Sequence, residues 1–487
     1  MMKIMKRLIV LSAVFLGFVC RAEVEKPPQR IFSETEEQRN ARLAWWTDAR
    51  FGMFIHFGLY SMPARHEWVK TFERIPETEY DEYFKRFDPD LFDAKRWAKS
   101  AKAACMKYAV LTTKHHEGFC MWDTKTTSYK ITKTPFGRDL VREFVDAFRA
   151  EGIRIGFYFS IIDWHHPDYT VDVNHPLRPA DFNGSDAFAH LNDRYEKEFS
   201  ALNANRDMNR YRAYMFDQVK ELLTNYGQID IMWFDYTIEH PKWGKTWKDW
   251  NAVELLEMAR HLQPGLIVDS RLGLMDTDDG WDFVTPEQVK AQSWPTVRGR
   301  RVPWETCQTF SGSWGYYRDE ATWKSVPQLI ELLTETVSKG GNLILNVGPT
   351  ARGRFDKRAQ NRLDALAEWM EYNSRSVYGC GPAPEEFAAP NGTALTYNRK
   401  TGRLYLHLYD YPMGALPLAF IDKIAYAQFL HDGSEIRRRL RISHHSQSGE
   451  QISAMGELLI PVVKPDVAVP VVELFLKKQS GDFQKSF

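Results

Sequence analysis

The sequence predicts an α/β fold, a (β/α)8-like barrel followed by a small C-terminal β-sandwich. Short apolar runs alternate with stretches of helical apolar spacing over most of the chain, as in βα units around a parallel sheet. Several of these runs stop at a polar or charged residue, which is typical of barrel strands that reach the active-site end. After residue 379 the pattern changes to short strand-type runs separated by turns, which predicts the sandwich.

The clearest barrel strand is the run 228–235, Gln-Ile-Asp-Ile-Met-Trp-Phe-Asp, because it ends abruptly in a carboxylate. Glycines follow three of the helical stretches, as helix stop signals do. No Gly-x-Gly-x-x-Gly follows a strand, which argues against a dinucleotide-binding fold. Strands are predicted at residues 51–56, 108–114, 153–160, 228–235, 266–271 and 341–346, and helices at 93–106, 139–151, 209–225, 252–262, 326–338 and 357–372.

The domain organisation follows from these patterns: a signal peptide at residues 1–22, the barrel at 23–378 and the sandwich at 379–487. The linker Gly-Cys-Gly-Pro-Ala-Pro at residues 379–384 separates the two folded parts. The chain shows no internal repeat. Sandwich strands are predicted at residues 395–397, 403–409, 425–430, 457–460 and 471–476.

The N-terminus is typical of an export signal. A basic start precedes the apolar run 8–20, which is too short to span a bilayer. Small side chains at Cys20 and Ala22 suit cleavage by a signal peptidase, so the mature chain is expected to begin near Glu23. We therefore expect a periplasmic or extracellular protein without a membrane span. Lipid anchoring through Cys20 is the alternative.

Composition excludes some classes of partner. Lysine plus arginine and aspartate plus glutamate balance at 64 each, so no nucleic acid partner is predicted. Aromatic residues make up 14% of the chain, with 16 tryptophans, which suits core packing and also sugar recognition. The remaining cysteines show no Cys-x-x-Cys spacing, so neither a disulfide framework nor a cysteine metal site is expected.

Metal catalysis and serine catalysis are both disfavoured. Adjacent histidines occur at 115–116 and 165–166, but on an extended segment neighbouring side chains point to opposite sides and do not share one ion. No Gly-x-Ser-x-Gly nucleophile elbow is present. We expect no metal and no cofactor.

Groups that bind hydroxyls collect at the predicted strand ends and on the loops after them. Imidazole, carboxylate and guanidinium groups satisfy sugar hydroxyls by charge-assisted hydrogen bonds, and aromatic rings cover the apolar sugar face. The candidates are His56, Glu67, Trp68, His115, His116, Tyr158, Trp233, Asp235, Arg271, Glu287, Glu305 and Trp314.

Two carboxyl groups on either side of a glycosidic bond would complete a hydrolase. Asp235 is the first. Glu287 is the preferred partner, because a Thr-Pro pair stiffens the backbone just before it. Glu305 is the alternative, and Glu67 suits hydroxyl binding better because it stands beside Trp68.

Longer motifs connect these residues to a known family. They are Arg50-Phe-Gly-Met-Phe-Ile-His-Phe-Gly58, Glu67-Trp68, Lys114-His-His-Glu-Gly-Phe119, Asp163-Trp-His-His-Pro-Asp-Tyr169, Trp233-Phe-Asp235, Thr285-Pro-Glu287 and Pro303-Trp-Glu-Thr306. The chain resembles the α-L-fucosidases of glycoside hydrolase family 29 over roughly the whole predicted barrel. The C-terminal part is similar to that family's sandwich in composition and position.

The resemblance implies a retaining exo-glycosidase that removes terminal α-L-fucose from a glycan without a metal. Asp235 would be the nucleophile and Glu287 the acid/base; the second assignment rests on the Thr-Pro-Glu context, and Glu305 stays the alternative. The residues implied to hold the sugar are His56, Glu67, Trp68, His115, His116, Tyr158, Trp233, Arg271 and Trp314.

Two other functions remain open at this stage: an α-L-galactosidase of the same family, and a secreted carbohydrate-binding protein without activity. A further hypothesis concerns the long connection at residues 162–207, which contains two His-Pro pairs and an Asn183-Gly184 turn. Connections of this length are uncommon and often functional, so we expect it to form a wall beyond the fucose pocket and to select the aglycone.

Overall fold

The computed structural model describes residues 26–182, 193–238, 240, 242–444 and 451–477, and only the backbone of residues 441–444 and 451–455 is considered. The predicted signal peptide and the Asn183-Gly184 turn lie outside the described residues. Within the described part of the chain, no helix combines the length and apolar character that a bilayer crossing requires.

A parallel sheet forms the core of the larger domain. From the N-terminus onward the strands are β1 (Phe51–Ile55), β2 (Tyr108–Lys114), β3 (Arg154–Ser160), β4 (Ile231–Asp235), β5 (Ile267–Val268), β6 (Thr296–Val297), β7 (Arg300–Arg301), β8 (Glu305–Thr309) and β9 (Asn342–Val347). Seven of them pair in the order β5-β4-β3-β2-β1-β9-β8, while β6 and β7 form a separate hairpin. Every pairing in the seven-stranded sheet is parallel.

The gap between β5 and β8 is filled by the segment 283–287. Phe283 bridges to Asp269 next to β5, and Glu287 bridges to Cys307 within β8, both in parallel orientation. The backbone amide of Gln288 also donates to the carbonyl of Cys307 at 3.0 Å. This short segment takes the sixth of eight positions around the sheet, so the predicted (β/α)8-like barrel is confirmed.

Helices surround the sheet and begin where the sequence supplies a cap. The helices are α1 (Glu36–Ala49), α2 (Val69–Phe72), α3 (Glu77–Arg86), α4 (Ala94–Ala103), α5 (Leu140–Ala150), α6 (Asp193–Asn203), α7 (Met208–Asn225), α8 (Trp247–Trp250), α9 (Ala252–Leu262), α10 (Val326–Ser338) and α11 (Lys357–Asn373). The side chain of the residue before α4, α5, α7, α10 and α11 accepts a backbone N–H of the first turn. The six predicted helices correspond to α4, α5, α7, α9, α10 and α11.

Helix α1 lies at the end of the barrel opposite the expected active site. Thr35 and Gln38 cap it reciprocally. Trp46 is buried, its ring lies 4.7 Å from that of Phe283, and its carbonyl accepts a hydrogen bond of 2.8 Å from the side chain of Asn342, the first residue of β9. The helix therefore closes the N-terminal end of the strands and leaves the other end for the expected active site.

The C-terminal part forms two antiparallel sheets, as predicted. The strands are β10 (Cys380–Pro382), β11 (Thr393–Asn398), β12 (Arg403–Leu408), β13 (Leu416–Pro417), β14 (Ile424–Phe429), β15 (Arg437–His444), β16 (Gln451–Leu459) and β17 (Val471–Leu476). One sheet has the order β10-β11-β12-β17-β14 and the other β13-β16-β15, with a separate apolar core between them. The contacts of this part with the barrel include a 2.9 Å hydrogen bond from the Trp369 indole to the carbonyl of Val469.

Candidate active site

The carboxylate of Asp235 ends β4 at the open end of the barrel and is buried. Tyr158, on the neighbouring strand β3, donates its hydroxyl hydrogen to Oδ2 at 2.8 Å, and Arg271 donates from Nη1 to Oδ1 at 3.0 Å. Burial raises the pKa of Asp235 above its usual range; Arg271 opposes this effect, and the charge of Glu287 adds to it. Both carboxylate oxygens are therefore held in a fixed orientation in a poorly solvated place.

Arg271, just after β5, binds both predicted catalytic carboxyl groups. Its Nη2 donates to Oε2 of Glu287 at 2.7 Å, and its Nε donates to Oγ1 of Thr285 at 2.9 Å. The guanidinium lies 4.5 Å from the centre of the Trp233 ring. Burial disfavours the charged form, but Asp235 and Glu287 outweigh burial and raise the pKa of Arg271. A single permanent cation therefore joins the two carboxyl groups.

Glu287 ends the segment 283–287 and is the more accessible of the two carboxyl groups. Its side chain is 43% exposed, compared with 10% for Asp235. The parallel bridge to Cys307 fixes its backbone against β8. A group that first protonates a leaving oxygen and then activates water must reach solvent, whereas a nucleophile works best when it is shielded. The difference in exposure suits these two roles.

His56 is a neutral hydrogen-bond acceptor toward the pocket. Its Nδ1 lies 2.6 Å from Oδ1 of Asn346, whose amide is oriented by donating from Nδ2 to the carbonyl of Trp314 at 2.7 Å. Burial, with the charge of His115, lowers the pKa of His56 well below its usual value. The ring is neutral, Nδ1 carries its only N–H and donates to Asn346, and Nε2 is left with a free lone pair.

His116 shows the same arrangement on the neighbouring strand end. Its Nδ1 lies 2.8 Å from Oγ of Ser160, and the Ser160 hydroxyl donates its hydrogen bond to the carbonyl of Ile162 at 2.8 Å. Because Ser160 must then accept, His116 donates from Nδ1. Burial lowers the pKa of His116 well below its usual value, and neighbouring charges lower it further. The lone pair of Nε2 faces the site, 3.9 Å from Oδ2 of Asp235.

Glu67 fixes the loop at Trp314 with one carboxylate oxygen and leaves the other without a hydrogen bond. Oε2 accepts from the backbone amides of Trp314 at 3.1 Å and Gly315 at 2.9 Å. Oε1 is buried, has no hydrogen-bond partner among the described residues and lies 3.3 Å from Nδ1 of His66, which itself accepts from the amide of Trp68. A buried carboxylate oxygen without a hydrogen bond is costly, so it is expected to meet a ligand hydroxyl. Trp68, the next residue, lies 5.1 Å from the His116 ring.

The rings of His115 and His116 face the same site, and the expectation that they point to opposite sides is wrong. Their centroids lie 4.1 Å apart, and the His115 ring stacks on Tyr158 at 5.6 Å and 12°. The reason is that both residues follow the end of β2, where Gly118 closes a turn onto the His115 carbonyl. Strand alternation does not apply in this turn.

Metal-type ligands form one cluster among the described residues, and it contains none of the predicted site residues. It consists of Glu77, Asp81 and His165. The ammonium of Lys70 already lies 2.9 Å from Glu77, and a buried cation disfavours a second one. His165 also stacks on Tyr129 at 3.8 Å. The donor set gives no support to a catalytic metal, and the expectation of a metal-free reaction stays a prediction.

Glu305 is separated from the other two candidate catalytic carboxyl groups, Asp235 and Glu287. It is the first residue of β8, whereas Asp235 is the last residue of β4, so the two lie at opposite ends of the parallel sheet. Its carboxyl group accepts a hydrogen bond from the hydroxyl of Tyr108, the first residue of β2. Burial raises the pKa of Glu305 to about 8. Glu305 is a neutral core acid near α1, and the alternative acid/base role has no geometric support.

The site also contains residues that sequence reasoning did not select. Ser160 and Asn346 orient His116 and His56, and Thr285 holds Arg271. Ser160 ends β3 and Asn346 stands one residue before the end of β9. A polar residue at the end of an apolar strand is the sequence pattern that indicates Ser160 and Asn346. Applied to charged and aromatic residues only, this pattern does not select these two.

A barrel with two carboxyl groups at its open end is the arrangement that a glycoside hydrolase requires. The family model for α-L-fucosidase matches residues 19–375. The chain therefore belongs to the α-L-fucosidase family, glycoside hydrolase family 29.

Curated relatives support the same assignment. The tissue α-L-fucosidase of Homo sapiens is 29% identical over 427 residues, which cover 83% of this chain and 84% of the human protein. The α-L-fucosidase of Dictyostelium discoideum is 27% identical over 478 residues, which cover 91% of this chain and 94% of the relative.

Two solved structures extend the similarity to the fold. α-L-Fucosidase isoenzyme 1 from Paenibacillus thiaminolyticus is 41% identical, with a TM-score of 0.77, and the match covers 90% of this chain and 100% of that one. A family 29 α-L-fucosidase from Bacteroides thetaiotaomicron, trapped as a covalent intermediate with 2-fluoro-fucosyl fluoride in a glutamate-to-glutamine mutant, is 27% identical. Its TM-score is 0.74, and the match covers 93% of this chain and 100% of that one.

Proposed function

We propose that the protein is a retaining exo-α-L-fucosidase that removes terminal α-L-fucose from glycans through a covalent glycosyl-enzyme. One observation carries the proposal: a single guanidinium binds a buried carboxylate and a partly exposed one at the open end of the barrel. The covalent intermediate trapped in the related Bacteroides thetaiotaomicron enzyme supports the retaining course.

In the first step Asp235 attacks the anomeric carbon while the bond to the glycosidic oxygen breaks. The carboxyl proton of Glu287 moves to that oxygen, and the rest of the glycan leaves as an alcohol. In the second step Glu287, now ionised, takes a proton from water as the water oxygen attacks the same carbon. The Asp235 ester breaks and fucose leaves with its original configuration.

The remaining polar groups suit a ring with several hydroxyls. His56 and His116 each present an unprotonated Nε2, and Oε1 of Glu67 lacks a hydrogen bond, so all three can accept hydrogen bonds. A sugar hydroxyl is a donor toward each of them. Trp314 lies 5.1 Å from the His56 ring and adds an aromatic wall.

The start of the connection at 162–207 is part of the same wall. The Trp164 ring lies 5.4 Å from both Trp68 and His116, and its amide donates to the His116 carbonyl at 2.8 Å. These contacts support the proposal that the connection selects the aglycone. Shortening it around Asn183 should change the preference among fucosylated oligosaccharides more than the rate on an aryl fucoside. An equal change on both substrates would contradict this role.

We also propose that the protein is exported, on the basis of the N-terminal signal pattern. Expression of the full chain with its own N-terminus, followed by fractionation and N-terminal sequencing, tests this. A mature chain that begins near Glu23 outside the cytoplasm is the expected result. Retention in the cytoplasm with an intact N-terminus would contradict export.

The enzymatic proposal is tested by hydrolysis of an aryl α-L-fucoside in the presence of a chelator, with an aryl α-L-galactoside as the competing substrate. Asp235→Ala should abolish turnover and leave fucose binding largely intact. Added azide should then restore turnover and give the β-azide, because azide enters from the face that Asp235 vacates. Wild-type-like turnover in this variant would remove Asp235 from the mechanism.

A further inference from the structure

The short helix α2 presents one large apolar side chain to solvent. Its first three residues, Val69, Lys70 and Thr71, are each 1% exposed, whereas Phe72 is 63% exposed. Burial of the first three fixes the orientation of the fourth. A single exposed phenylalanine is ordinary on a protein surface, so its meaning depends on its neighbours.

The neighbours of Phe72 form a continuous aromatic path to the active site. Its ring lies 5.8 Å from Trp68, and the Trp68 ring lies 5.1 Å from His116 and 5.8 Å from Tyr236. His116 in turn lies 3.9 Å from Asp235. Exposure increases along this path, from buried His116 through half-buried Trp68 to exposed Phe72. The path leads from the reacting atoms to the rim of the pocket.

The loop that carries Phe72 is firmly held. Arg65 and Glu73 form a two-point ion pair at 2.7 and 2.6 Å across the helix. The hydroxyl of Thr71 donates to the carbonyl of Asn174 at 2.6 Å, and Arg74 donates to the carbonyl of Arg178 at 2.7 Å. The last two bonds connect α2 to the connection at 162–207. The Phe72 ring is therefore preorganised for contact with a ligand, because its backbone is held in place before the ligand binds.

We propose that Phe72 is the platform for a second sugar ring, belonging to the glycan from which fucose is removed. The inference rests on the proposed function, because only the glycan outside the fucose pocket continues from Asp235 toward the rim. A pyranose has an apolar face of C–H groups that packs on a flat aromatic ring. An exposed benzene ring has no polar atom, so it favours this face without choosing between hydroxyl patterns.

The test compares two substrates of the full-length enzyme. α-L-Fucosyl fluoride has no sugar ring besides the fucose, whereas an α-fucosylated lactose carries two further rings, galactose and glucose. Phe72→Ala should lower the ratio of kcat/KM for fucosylated lactose to that for fucosyl fluoride by about 5- to 20-fold. Phe72→Tyr keeps the ring and should retain the wild-type ratio. Tyr372→Ala removes an aromatic side chain of similar exposure (51%) from α11 and should also leave the ratio unchanged.

A second measurement separates this inference from the proposed function. Binding of fucosylated lactose to Asp235→Ala is measured by calorimetry with and without Phe72→Ala. Weaker binding in the double variant supports the platform even if the wild-type enzyme hydrolyses neither substrate, which would overturn only the proposed function. An unchanged kcat/KM ratio together with unchanged binding overturns the platform.

Discussion

Glu287→Gln is the substitution that separates the two catalytic roles most sharply. Glutamine has nearly the same size, and its amide oxygen still accepts a hydrogen bond from Arg271. The ion pair that it replaces involves a side chain that is 43% exposed, so the free energy of unfolding should change by less than about 1 kcal/mol. Any large kinetic effect then reports chemistry and not folding.

The expected kinetic effect depends on the leaving group. A general acid contributes about 10²- to 10⁴-fold, equivalent to roughly 3–5 kcal/mol of activation free energy. With a sugar leaving group, kcat/KM should fall by about this factor. With a nitrophenyl leaving group, which needs no proton, kcat/KM should change little, and the slow second step should produce a burst of nitrophenol.

Azide provides an independent readout for the same variant. Azide replaces the missing base, enters from the Glu287 side of the ring and should give the α-azide, the opposite of the product expected for Asp235→Ala. An equal loss on both leaving groups, or a β-azide product, would refute the role of Glu287.

Three further substitutions test the environment of the site. Tyr158→Phe removes a hydrogen bond that lowers the pKa of Asp235, so the acid limb of kcat/KM should move to higher pH; an unmoved limb would contradict this. The Glu305 carboxyl has a pKa of about 8 in the folded protein, compared with an ordinary value of 4.5. Between these two pH values the folded protein binds more protons at this site than the unfolded chain, so the free energy of unfolding falls as the pH rises from 4.5 to about 8. Because glutamine does not ionise, Glu305→Gln should abolish this pH-dependent loss of stability, which amounts to up to about 5 kcal/mol. The difference in thermal midpoint between variant and wild type should therefore grow between about pH 5 and 8, and a constant difference would contradict the prediction. In the wild-type protein the ammonium of Lys114 lies 3.3 Å from the buried carboxylate of Asp163. Lys114→Met leaves this carboxylate without its cation and should lower the free energy of unfolding by about 3–5 kcal/mol. An unchanged thermal midpoint would show that the ion pair is not needed for stability.

The periodic parts of the fold could be predicted from the sequence. Strands β2 and β3 and helices α9 and α10 lie within one residue of their predicted positions, because each repeats its apolar residues with a clear period. Helix α1 was missed although Thr35 and Gln38 form a capping box, since its 14 residues bury only Leu43, Trp46 and Ala49 and show almost no apolar face. Its burial is imposed by the end of the barrel, which no local pattern records.

The candidate site was predictable where function places a charged group at a strand end. Asp235 and Arg271 were found in this way. The exclusion of Glu305 was not predictable, because it stands in a motif as regular as that of Glu287 and only the pairing of β8 shows that it begins a strand. The shared orientation of His115 and His116 was also hidden, since it depends on where β2 ends.

The order of the strands explains why the proposed catalytic groups meet. Asp235 ends the fourth position of the barrel, Arg271 follows the fifth, and Glu287 ends the sixth. Neighbouring strands lie about 4.8 Å apart, so the backbones of the fourth and sixth positions are roughly 10 Å apart, and side chains leaning toward a cation between them come closer. A retaining enzyme requires about 5–5.5 Å between its carboxyl groups. Arg271, after the fifth strand, binds both carboxyl groups and so brings them toward such a spacing, and it also offsets the repulsion that two carboxylates would otherwise exert on each other. Arg271 is therefore the residue that joins groups from three consecutive βα units into the proposed catalytic centre.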